Sequence, residues 1–204
     1  METKESFRKR QKASLLRHKQ RAFVRNFAVY KEVMRVVELY KAKNILLYLP
    51  LPYEPNLARF RNKFAKKCKI FVPFMQDTSL KMVKLRSPFY KKSFGIYEPN
   101  NSFYVAKIDM AVIPVIGVDR DLKRIGHGFG FYDKFFENFT DKPLLVFVSA
   151  TKALSRQNLC QKHDIQADFY INPYEKFYRK EKNARSYNCI YRRFHRRWDR
   201  IFSC

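Results

Sequence analysis

Residues 44–49 read Asn-Ile-Leu-Leu-Tyr-Leu, an unbroken apolar run closed by Pro50 and Pro52. A half-buried strand alternates apolar with polar residues, so an uninterrupted run this short fits a strand buried on both faces. The same texture returns at 69–72, 108–118, 144–149 and 167–171, and more weakly at 80–85. Pro114 cuts the 108–118 run short or places a bulge in it. Between the runs the spacing turns helical. Tyr30, Val33, Met34, Val37 and Tyr40 share one helix face, Leu57, Phe60 and Phe64 share another, and 133–139 continues the pattern. Residues 3–25 are rich in helix formers, with Phe7, Leu15 and Leu16 as the apolar positions. Helices alternating with doubly buried strands predict a three-layer α/β fold, a mostly parallel open sheet with helices on both faces.

A chain of 204 residues suits one domain with an appendage. Its 20 Phe and 13 Tyr supply a real core and exclude general disorder. The formal net charge of +25 excludes an acidic solvating protein and predicts anionic ligands. The apolar runs are far shorter than the roughly twenty residues of a membrane-spanning helix. The basic, polar start shows no apolar stretch of a secretory signal. Cys68, Cys160, Cys189 and Cys204 lack zinc-site spacing, which points to a reduced, cytoplasmic protein. Residues 174–204 stand apart from 1–173: ten Lys plus Arg, three acids and eight aromatics. Tyr187, Tyr191, Phe194, Trp198 and Phe202 recur at roughly helical spacing among arginines, which predicts a basic C-terminal helix.

Three of the five glycines, Gly126, Gly128 and Gly130, fall within RIGHGFGFYDKFF, after a strand and before a helical pattern. Such density implies a backbone that takes positive φ or approaches something closely. A loop ahead of a helix suits phosphate, with Arg120, Lys123 and Arg124 adding cations. The spacing is neither a P-loop nor a dinucleotide fingerprint. Asp133 is placed either to hold magnesium beside phosphates or to cap a helix. His127 is a phosphate donor or a bystander. Glu54 follows a buried strand, where open α/β sheets place ligands. There it meets the N–H edge of a flat heterocycle, or it is a solvated turn residue. Lys4 and Arg8 lie four apart on one helix face, as an anion clamp or as solvated charge.

In their order these segments resemble the 5-formyltetrahydrofolate cyclo-ligase (5,10-methenyltetrahydrofolate synthetase) family. The resemblance rests on Lys4-x-x-x-Arg8, YLPLPYEPN at 48–56, FGIYEP at 94–99, the strand, glycine loop and helix at 112–136, and HDIQAD at 163–168. It implies a ligase of one-carbon metabolism. ATP phosphorylates the formyl oxygen of 5-formyltetrahydrofolate, and N10 displaces phosphate to leave 5,10-methenyltetrahydrofolate and ADP. It implies ATP contacts from Lys4, Arg8, Arg124, Ile125, Gly126, His127, Gly128, Phe129, Gly130, Phe131 and Tyr132. Of these, Arg124 and Tyr132 are the catalytic pair. Folate contacts are implied from Leu49, Glu54, His127, Gly128, Phe129, Gly130 and Phe131, and magnesium ligands at Asp133 and Asp164.

The chain departs from the family at Phe131, where Tyr is usual, at Phe129, where a small or basic residue is common, and after Asp168. A monomer is expected, with no membrane and no required nucleic acid. The rival reading from charge alone is a nucleic-acid binder, and a third is a peripheral membrane protein held by the tail. Neither has a use for the glycine loop.

Overall fold

The computed structural model describes residues 2–17, 22–76, 79–91, 97–101, 106–137, 139–179 and 199–201. The chain begins with α1 (Lys4–Arg17), α2 (Ala22–Leu39) and β1 (Asn44–Leu46), then a 3-10 turn (Leu57–Phe60) and α3 (Arg61–Ala65). A hairpin of β2 (Lys69–Gln76) and β3 (Ser79–Lys84) follows, and then a small ribbon of β4 (Phe89–Lys91) and β5 (Tyr97–Pro99). Next come β6 (Met110–Pro114), β7 (Gly117–Val118), β8 (Arg124–Ile125), α4 (Phe131–Glu137) and β9 (Leu144–Val148). β10 (Phe169–Ile171), β11 (Lys176–Arg179) and β12 (Asp199–Ile201) complete the described elements.

Among the described residues the main sheet has eight strands in the order β12-β11-β10-β9-β6-β1-β2-β3. The five strands from β10 to β2 run parallel, as the doubly apolar runs predict. The period-two alternation of side chains divides the core. Ile45, Leu47, Met110, Val112, Val146 and Val148 face α2, the 3-10 turn and α3. Leu46, Ala111, Ile113, Leu145 and Phe147 face the opposite way, where Phe136 of α4 packs. Pro114 ends β6, and Gly117–Val118 pairs instead with Arg124–Ile125 in a separate ribbon.

β1 lies between β2 and β6, so the chain leaves β1 toward one side of the sheet and later returns on the other. That reversal opens a crevice at the strands' carboxyl ends. One expectation needs correction. Helical spacing through Phe202 predicts a helix at 199–201, but Asp199–Ile201 is a strand parallel to β11. The open backbone groups of a sheet edge outweigh a local periodicity. Residues 180–198, which hold most of that aromatic pattern, lie outside the described residues.

Candidate active site

A cleft of about 380 Å³ opens at this crevice. Its walls are Leu49–Glu54 after β1, Pro114 at the end of β6, and the segment from Arg124 to Tyr132. Pro73, Met75 and Leu80 of the β2–β3 hairpin close a third side.

The first wall is built by local bonds. Tyr48 is buried and its hydroxyl donates to the Pro55 carbonyl, pinning the proline-rich loop. Burial, then the nearby Glu54 charge, push that hydroxyl's pKa well up. Glu54 closes its own turn: its N–H donates to the Leu51 carbonyl at 3.0 Å, and its Oε2 accepts the Leu51 N–H at 2.9 Å. Glu54 Oε1 lies 3.6 Å from His127 Nε2. Tyr53 Oη lies 3.4 Å from the same nitrogen, and burial followed by the Glu54 charge push its pKa up to about 12.

The second wall is the glycine loop. Asp119 is fully buried and shapes the turn that leads into it. Its Oδ1 accepts the N–H groups of Asp121 at 3.0 Å and Lys123 at 2.9 Å, and its Oδ2 accepts the Cys160 N–H at 3.1 Å. Arg124 follows with its side chain only 8% exposed. Its guanidinium lies 4.9 Å over the Tyr132 ring, and Nη1 stands 3.4 Å from Asp133 Oδ2. Its Nε is buried with no partner among the described residues. A buried donor left unpaired is costly, and an anion in the cleft would satisfy it. Gly126 packs directly on this guanidinium: a Cβ there would lie 2.5 Å from it. Gly128 and Gly130 take φ of +108° and +70°, conformations L side chains rarely adopt. Both reasons expected for dense glycine therefore occur in one loop. Tyr132 is the second residue of α4, and its hydroxyl pKa is raised, first by burial and then by Glu54, with Arg124 opposing.

The sequence-expected residues fall on two sides of this loop. Leu49, Glu54, Arg124, His127, Phe129, Gly130, Phe131 and Tyr132 line the cleft. Lys4, Arg8 and Asp164 lie behind it. Arg8 Nε donates to the Gly126 carbonyl at 2.8 Å. Lys4 Nζ sits 2.7 Å from both Asp164 oxygens, and Asp164 Oδ2 also accepts the Gln161 N–H at 2.7 Å. Burial works against the Asp164 carboxylate, but those bonds win and lower its pKa. Ile165, next in sequence, donates its N–H to Asp133 Oδ1 at 3.3 Å, which ties the Asp164 segment to the start of α4.

Among the described residues no group of three His, Cys, Asp or Glu is assembled for a metal. Magnesium takes one or two carboxylates, with substrate phosphates and water for the rest. The pair fits that donor set. Asp133 makes only long contacts, at 3.3 and 3.4 Å, while Asp164 is paired with Lys4. The hairpin residues Pro73, Met75 and Leu80 were missed by sequence reasoning, as was Asp119. Only the weak apolar texture around 69–85 hinted at the hairpin.

Comparison with known proteins agrees with this geometry. The model of the 5-formyltetrahydrofolate cyclo-ligase family matches residues 1–169. The chain is 25% identical over 146 residues to 5-formyltetrahydrofolate cyclo-ligase from Haemophilus influenzae, covering 67% of this chain and 78% of that protein. It is 33% identical over 107 residues to the enzyme of that name from Saccharomyces cerevisiae, covering 48% and 49%. Its fold is similar to the NMR structure of Aquifex aeolicus 5,10-methenyltetrahydrofolate synthetase. That match has a TM-score of 0.73 at 20% identity, over 91% of this chain and 99% of that one. From its first residues to the start of β10, this chain belongs to the 5-formyltetrahydrofolate cyclo-ligase family.

Proposed function

We propose that the protein is an ATP-dependent ligase that closes 5-formyltetrahydrofolate to 5,10-methenyltetrahydrofolate, releasing ADP and phosphate. The observation that carries this reading is an apolar cleft whose one polar-edged wall holds Glu54 and whose other wall is a glycine loop around a buried arginine. The carbonyl oxygen of an N-formyl group is a poor leaving group until it is phosphorylated. Transfer of the γ-phosphoryl group forms an O–P bond to that oxygen and breaks the bond to ADP. N10 then attacks the resulting iminium carbon and loses its proton, and the C–O bond breaks as inorganic phosphate departs.

The chain's own groups supply position and charge rather than covalent chemistry. Leu49 packs the pterin, and Glu54 accepts its N–H edge. Arg124 spreads positive charge over the transferring phosphoryl group. Tyr132 keeps its proton at neutral pH and serves as a hydrogen-bond donor beside it. The backbone from Ile125 to Phe131 lies between the two substrates, with Phe129 and Phe131 adding ring faces at the mouth. Lys4 and Arg8 take the nucleotide phosphates. Magnesium would be held by Asp133 and, once Lys4 has turned to phosphate, by Asp164; its chemistry there is to neutralise phosphate charge. A monomer belongs to the proposal as well. No helix among the described residues is long and apolar enough to cross a membrane, and a cytoplasmic location belongs to the proposal.

The test mixes purified protein with 5-formyltetrahydrofolate, magnesium and ATP, and follows the ultraviolet absorbance of the methenyl product. Product and ADP should rise together and only with nucleotide present. Turnover at an unchanged rate in nucleotide-free enzyme would falsify the reading.

A further inference from the structure

The start of α2 leaves three large apolar side chains in solvent: Phe23 is 56% exposed, Val24 65% and Phe27 37%. They are rooted in the core rather than scattered. Phe23 and Phe27 stack at 6.5 Å, Phe27 meets Phe60 at 6.0 Å, and Phe60 stacks on Tyr30 at 4.5 Å. Both Phe60 and Tyr30 belong to the buried cluster under the sheet. Cations rim the patch. The Arg59 guanidinium lies 5.6 Å from the Phe23 ring, and the Lys63 and Lys31 ammonium groups lie 5.6 and 5.9 Å from Phe27. Residues 23–31 and 59–63 build this face, and neither segment contains an acid. Among the described residues, Glu38 pairs with Lys67, not with Arg59 or Lys63. None of the cleft-lining residues comes from α2, so the face is separate from the proposed active site.

We propose that this face seats on an anionic lipid surface. Contiguous exposed apolar side chains ringed by polar groups mark interaction sites on soluble domains. Apolar side chains that dip into the headgroup boundary, combined with several cations above it, are the two signals reversible membrane attachment needs. Charge complementarity selects an anionic partner. The patch chemistry then selects lipid over single-stranded nucleic acid. Base stacking needs open ring faces. Here the rings already stack on one another and carry cations, and aliphatic Val24 has no face to offer.

The test is co-sedimentation of the full chain with phosphatidylcholine vesicles, with or without about 30% phosphatidylserine, at low and high salt. The protein should pellet only with the anionic vesicles and be released by salt. A Phe23→Ser/Phe27→Ser variant and an Arg59→Gln/Lys63→Gln variant should each bind roughly tenfold or more weakly. Their melting temperature and solution turnover should stay as in the parent. Phe27 is the least exposed of the three, so Phe23→Ser/Val24→Ser replaces the first variant if that one melts lower. Variants that pellet like the parent would show mere adsorption through other basic residues and overturn the proposal. So would absence of pelleting, or binding to single-stranded RNA that anionic vesicles do not displace. The readout is vesicle binding, so its outcome is independent of the cyclo-ligase assay.

Discussion

The two carboxylate oxygens of Glu54 have different surroundings. Oε2 closes the turn on the Leu51 N–H at 2.9 Å, and Oε1 faces His127 across the cleft at 3.6 Å. Glu54→Gln keeps an acceptor for the turn but removes the charge offered to the pterin edge. The folate KM should rise roughly ten- to hundredfold with the ATP KM nearly unchanged, the range expected for one charged hydrogen bond. Arg124→Ala should instead lower kcat if, as proposed, its guanidinium acts on the transferring phosphoryl group. Steady-state kinetics with each substrate varied separates the two, and identical patterns would refute two distinct subsites. Gly126 tests the same arginine indirectly. Its missing Cβ makes room for a guanidinium that a methyl group would contact at 2.5 Å. The far end of Arg124 yields more easily than backbone, so Gly126→Ala should cut kcat while the melting temperature moves by no more than overpacking of about 1–3 kcal/mol allows. An unchanged kcat would show that the guanidinium position does not matter.

At the scale of elements, α1 and the far sheet edge do the least expected things. α1 buries Phe7, Gln11 and Leu15 on one face. It also presents Lys4 and Arg8 to Asp164 and the Gly126 carbonyl, so a helix with little local amphipathicity becomes the backing of the glycine loop. β11 extends the sheet past residue 173. Tyr178 is buried, Lys176 pairs with Glu32 of α2 at 2.9 Å, and Arg179 pairs with Asp168 at 2.8 Å. Truncation after Pro173 removes these contacts together with β12 and exposes the backbone of β10. The melting temperature should fall by roughly 5–10 °C, from the lost aromatic burial and the size of the domain, with little change in folate KM. A truncated protein that melts like the full chain would make the edge strands dispensable.

The whole molecule carries a signature in two buried tyrosines, Tyr48 and Tyr170, and two half-buried ones, Tyr53 and Tyr132. Burial first of all raises the hydroxyl pKa of Tyr48, Tyr53, Tyr132 and Tyr170 above the ordinary 10.0, to about 12 for Tyr53 and Tyr170. The folded state therefore holds these protons more tightly than the unfolded chain. The resulting stability is fully present below about pH 10, where tyrosine ionises in an unfolded chain, and is lost as pH rises through the folded values. An alkaline titration should show these tyrosines ionising together with the loss of circular dichroism. Full tyrosinate absorbance with intact secondary structure would contradict the burial of Tyr48 and Tyr170.

How much of this was legible in advance follows from what a linear pattern can encode. The runs at 44–49, 69–72, 108–118, 144–149 and 167–171 announce doubly buried strands, because an element's burial is written in its own residues. Gly126, Gly128 and Gly130 announce a constrained loop for the same reason, since positive φ and close approach demand glycine wherever the chain goes. Those local demands, with the motif order, determined the fold class and the cleft's second wall. The tertiary structure alone decided that Met75 and Leu80 close the cleft, that Lys4 meets Asp164 across 160 positions of sequence, and that 199–201 adds to a sheet edge. Such contacts depend on how elements cross and on which backbone edge is left open, and neither is recorded in the periodicity of any single segment.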